Sequence, residues 1–90
     1  MANEQLPTID FSMLVLSLSQ TALVHLGLAE DPEAGAPGKR NLPLARQTID
    51  MLGMLQEKTK GNLNGSEERL IDQVLYDLRL RFVELSKEGS

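Results

Sequence analysis

Cysteine is absent from this 90-residue chain, so it can form no disulfide, thiolate nucleophile or Cys-ligated zinc site. That composition fits a cytoplasmic setting. Aromatic residues are scarce at 3%, namely Phe11, Tyr76 and Phe82. The core must therefore come from Leu, Ile, Val and Met, which suit helix-on-helix packing and offer little stacking surface for bases or sugars. A basic stripe is missing as well. The net charge is −4, and phosphate neutralisation supplies most of the affinity of nucleic-acid binders, so no nucleic-acid partner is expected. Before Phe11 there is no Lys or Arg, so the basic n-region of a secretory leader is not expected. Nothing alternates with period two over the length of a strand, which predicts no sheet.

What remains is a composition with 41% hydrophobic and 24% charged residues, globular rather than disordered. The length allows one domain at most. A domain this small buries only about 60–65% of its unfolded surface, so a lone three-helix core is marginal and gains from self-association.

Three helices are predicted. Met1 to Ile9 is polar, holds Pro7 and reads as a loose arm. Helix one spans 10–27, with Asp10 as N-cap and Gly27 as the C′ residue. Phe11, Leu14, Val15, Leu18, Ala22 and Leu26 fall on one face, while Met13, Leu16, Leu23 and Val24 make a second stripe. A helix apolar on two faces needs more than one covering surface. From Phe11 to Ala29 there is no charged side chain, which also raises a membrane-associated alternative anchored through helix one. Ser, Thr, Gln and His within it, and the lack of an adjacent basic anchor, weigh against a span. Residues 28–41 form a long loop rich in Pro, Gly and mixed charge.

Helix two is expected over 42–60, capped by Asn41 and carrying Pro43 in its first turn. Leu44, Ala45, Thr48, Ile49, Leu52, Leu55 and Thr59 form its inner stripe, widened by Met51 and Met54. Gly53 sits mid-helix at a cost of about 1 kcal/mol against Ala, which implies close approach of another helix. Gly61 is expected in the left-handed C′ conformation. Asn64 and Glu67 spell a capping box for helix three, expected over 65–86 with a frayed tail from Lys87. Its inner face is Leu70, Ile71, Val74, Leu75, Leu78, Phe82 and Leu85; Tyr76, Leu80 and Val83 form a second stripe. Asp77 and Arg81 are ordered for an i,i+4 pair. Helices two and three must fold back as an antiparallel hairpin joined by Lys60–Asn64.

Several stretches carry a distinctive pattern. They are Ala22, Leu26 and Gly27 in helix one, the run Ala45…Thr48–Ile49–Asp50…Leu52, and Lys58–Thr59–Lys60–Gly61–Asn62–Leu63, followed by LYDLRLRFVE in helix three. On these residues the chain, from Phe11 to about Val83, resembles a small bacterial family catalogued as domain of unknown function 1844. Asn64–Gly65 stands where that pattern leads one to expect a Thr-first cap, and Asn does the same capping job. The resemblance implies a short helical bacterial protein and no particular activity.

Candidate chemistry is thin. His25 is the sole histidine, and no carboxylate lies three or four residues from it, so it reads as a partly buried or interface residue. Thr59–Lys60–Gly61–Asn62 faintly resembles a phosphate loop but follows a helix C-terminus, the negative end of the dipole. Asp50 and Glu57 share a face with Arg46 and read as a solvated, ion-paired surface. Arg79 and Arg81 are either snorkelling surface residues or interface anchors. The unexplained remainder, a candidate binding patch, is Asp50, Lys58, Lys60 and Asn62. Candidate interface residues are Leu16, Leu23, Tyr76, Leu80 and Val83. No catalytic set, metal site or cofactor is expected. These features favour an all-α three-helix bundle completed by dimerisation, acting as a non-catalytic structural or protein-interaction module. A small-molecule binder or enzyme with a site near Asp50 and Lys58 is the other alternative.

Overall fold

The computed structural model describes residues 9–31, 36–37 and 39–88. The arm expected over residues 1–9 therefore lies outside it except for Ile9, as do residues 32–35 and 38 of the long loop and the last two residues of the tail. Three helices make the body: α1 (Phe11–His25), α2 (Leu42–Lys58) and α3 (Gly65–Glu88). They pack on one another as an all-α bundle.

Each helix starts where a side chain can satisfy its first free amides. Asp10 accepts from the Met13 amide at 2.9 Å, and Asn41 accepts from the Leu44 amide at 3.2 Å. Asn64 and Glu67 form the reciprocal box. The Asn64 side-chain oxygen accepts from the Glu67 amide at 2.8 Å, and Glu67 accepts from the Asn64 amide at 2.9 Å. Helix α1 ends in a Schellman motif. Leu28 N–H donates to the Leu23 carbonyl and Gly27 N–H to the Val24 carbonyl, with Gly27 at φ +77°.

Three details depart from the sequence pattern. Helix α2 stops at Lys58, two residues earlier than the pattern marks, with Thr59 as its C-cap. The Thr59 hydroxyl turns back to the Leu55 carbonyl at 2.6 Å, and Asn62 N–H closes a turn on the Thr59 carbonyl. Gly61 does take a positive φ of +87°, but in the turn position a type II turn reserves for glycine rather than as C′. Helix α3 continues through Lys87 and Glu88, beyond the expected fraying point. Finally, Glu30–Asp31 (β1) and Ala36–Pro37 (β2) pair antiparallel, where no sheet is predicted. Glu30 stands opposite Pro37 and Asp31 opposite Ala36. A two-residue ladder is too short to write an alternating pattern; it closes the long connection on itself.

The core is one cluster drawn from all three helices: Val15, Ala22 and Leu26 against Ala45, Ile49 and Leu52, and against Ile71, Leu75, Leu78 and Leu85. Ala22 and Ala45 are both fully buried, and such small side chains let α1 and α2 approach closely. The chain between them is fastened by Asn41 N–H donating to the His25 carbonyl at 2.7 Å. Thr48 is the one buried polar side chain among the described residues, and its hydroxyl donates to the Leu44 carbonyl. Among the described residues no helix is long and apolar enough to cross a membrane. Helix α1, with 15 residues, is about 22 Å long against roughly 30 Å of hydrocarbon.

Candidate functional site

Helices α2 and α3 run antiparallel, and their register shows in three side-chain meetings. Near the turn, the Gln56 amide donates to the Asp72 carboxylate. One turn further along α2, the end of the Arg79 guanidinium lies over Gly53; a Cβ built on that glycine would stand 3.0 Å from Nη2. Beyond it, Ile49 and Phe82 line a common cleft. The missing side chain at Gly53 thus admits an arginine end rather than the close backbone approach that its position suggests.

Open clefts lie along this hairpin, and three of them involve both of its helices. At the turn, Gln56, Glu57, Lys60, Leu63, Glu68 and Asp72 surround a cleft of about 340 Å³. Midway, Gln56 and Asp72 with Tyr76, Arg79, Leu80 and Val83 line one of about 450 Å³. Towards the far end, Arg46, Asp50, Arg79 and Val83 border one of about 290 Å³. Arg79 and Val83 belong to both of the last two, so these form a continuous groove.

The four residues of the candidate binding patch are all exposed, but the structure does not gather them. Asp50 lies in the groove's far end, near 3.9 Å from Arg46, an i,i+4 pair open to solvent and of little energetic weight. Lys60 lines the turn cleft, while Lys58 and Asn62 line none of the three clefts. The reason is that α2 ends at Lys58, so Lys60 and Asn62 follow the turn and not the helical spacing that would carry them to one face with Asp50. Glu57 and Asp50 also fall in different clefts. His25 is half-buried in the last turn of α1. Among the described residues no group of three or more His, Asp or Glu side chains could hold a metal ion.

The candidate interface residues divide as well. Tyr76, Leu80 and Val83 are 72%, 46% and 48% exposed and share the middle cleft. Leu16 is 53% exposed on α1, outside the three clefts. Leu23 is partly buried and packs against the chain's own core. Arg81 is engaged by Asp77 at 2.9 Å. Arg79 has only apolar residues three or four positions away (Leu75, Tyr76, Phe82 and Val83), and it makes no ion pair among the described residues. Gln56 and Asp72 carry no sequence signal for their meeting, because they sit on different helices and only the hairpin register brings them together.

Fold and surface together define a small three-helix bundle built on a capped hairpin, with an apolar groove crossed by one arginine. The family described as Domain of unknown function (DUF1844) matches residues 8–84. The match covers most of the chain, which belongs to that family. No curated protein and no solved structure matches it.

Proposed function

We propose that the protein is a non-catalytic structural or interaction module that works as a homo-oligomer, in the simplest case a two-fold dimer. The observation that carries this reading is the apolar surface left over once the core is complete. Tyr76, Leu80 and Val83 recur at i, i+4 and i+7 on the outside of α3, beside an arginine that makes no ion pair among the described residues. Tyr and Arg are the residue types that anchor interfaces, because each brings a large contact area together with a polar end. A second exposed set, including Leu16 on α1 and Met54 on α2, leaves room for a further protein partner.

Light scattering coupled to gel filtration tests the proposal. A mass near twice the 9.9 kDa of the chain at micromolar concentration is expected. A strictly monomeric protein across the accessible concentration range would remove the reason for assigning a self-association surface.

A further inference from the structure

Resting on that reading of self-association, we infer that the occupant of the α2–α3 groove is a second copy of this chain, docked through α3. The two α3 helices run antiparallel about a two-fold axis at Tyr76, and Arg79 of each copy meets Asp72 of the other.

The first ground is charge. Asp72 and Arg79 are seven residues apart, two helical turns, and so lie on the same flank of α3. Both line the middle cleft. Arg79 lacks an ion-pair partner within the described residues, and its i±3 and i±4 neighbours offer none. Asp72 is held towards the groove by the Gln56 amide on Oδ1, which leaves Oδ2 available. A two-fold operation keeps a helix flank on the same side of the interface while reversing the direction of the chain. An acid and a base on one flank then pair twice, each with its counterpart.

The second ground is that this register coincides with the shape. The midpoint between Asp72 and Arg79 falls at 75.5, and the midpoint of α3, from 65 to 88, falls at 76.5. Pairing the charges therefore also overlaps the two helices almost completely, along about 33 Å of the roughly 36 Å of a 24-residue helix. Tyr76, the most exposed large apolar residue of α3, stands on the axis. Clefts lie to either side of it: Arg69, Asp72 and Gln73 border one of about 290 Å³, and Arg79, Leu80 and Val83 the other. The two-fold lays the Leu80–Val83 side of one copy over the Gln73–Arg69 side of the other. A chain of net charge −4 repels its own copies in most orientations, and this one replaces repulsion by two attractive pairs.

Charge-swapped variants test the pairing. Arg79→Asp and Asp72→Arg both alter exposed positions, and circular dichroism of each variant is the check that it folds. Alone, each places like charges together twice, and the dimer dissociation constant should rise by about tenfold or more. Mixed one to one, the two variants should form a heterodimer of near wild-type affinity. The acid introduced in one chain then meets the base introduced in the other, while the unaltered Asp72 and Arg79 meet on the opposite side of the axis. As a second readout that needs neither variant, Tyr76→Cys in this cysteine-free chain should cross-link to its own copy under mild oxidation, while Ser17→Cys on the exposed side of α1 should not. Wild-type dimers whose affinity neither charge variant changes, or a Tyr76→Cys protein that stays uncross-linked while dimeric, would overturn this surface and leave self-association standing elsewhere. A monomeric wild-type protein would overturn both.

Discussion

Replacing Gly53 by alanine sets two effects of the structure against each other. Glycine in the interior of α2 is unfavourable by about 0.8–1.0 kcal/mol relative to alanine, because its backbone loses more freedom on folding. Against this stands the one atom that a new Cβ would crowd, Arg79 Nη2 at 3.0 Å, with nothing else within 4 Å beyond the helix's own backbone. That atom ends a flexible, exposed side chain without an ion pair among the described residues, so moving it aside costs little. The propensity term wins, and Gly53→Ala should stabilise the fold by about 0.5–1 kcal/mol. For a domain of this size that raises Tm by roughly 2–8 °C. Urea unfolding followed by far-UV circular dichroism measures it, at a concentration below dimerisation, because association would otherwise add to the apparent stability. Repeating the measurement on Arg79→Ala and on the double variant isolates the contact. A loss of stability on Gly53→Ala that Arg79→Ala relieves would reverse this ranking of the two effects, for it would mean that the guanidinium is fixed over the glycine. Since the arginine must shift, the same substitution should weaken self-association even as it stabilises the monomer.

Two further substitutions probe the ends of the hairpin. Gly61→Ala should destabilise by about 1–2 kcal/mol in the same assay, from backbone strain at φ +87° alone, since a Cβ there meets nothing within 4 Å; Gly61→Asn, better tolerated in that region, should lose less, and equal losses would contradict the conformational account. Asn64→Ala removes the side-chain acceptor for the Glu67 amide and should cost about 0.5–2 kcal/mol, whereas Asn64→Asp should be nearly neutral.

How legible the molecule was depends on how local each feature is. The caps at Asp10, Asn41 and Asn64 involve residues three apart, so the amino-acid order contains the whole interaction. The inner faces of α2 and α3 are legible because burial on one side of a helix repeats every 3.6 residues: Ala45, Ile49 and Leu52, then Ile71, Leu75 and Leu78, are all buried. Helix α1 is less readable. With no charge to mark its solvent side, Leu14 is indistinguishable in sequence from Val15, yet one is 40% exposed and the other fully buried. The end of α2 is misplaced for a related reason. Lys58 to Gly61 offers several acceptable stops, and the Thr59 hydroxyl, turning back on Leu55, selects the first.

Three helices, their caps, the hairpin turn and the family are all written in the amino-acid order, because each is a property of short segments or of composition. It took the packed bundle to rest Arg79 over Gly53, to tie Asp72 to Gln56 across the hairpin, and to face Tyr76, Leu80 and Val83 into an open groove while Leu23 packs against the core. Those placements depend on the rotation and register of one helix against another. That is set by the sum of many small packing contacts across the core, and no local pattern in the chain encodes such a sum.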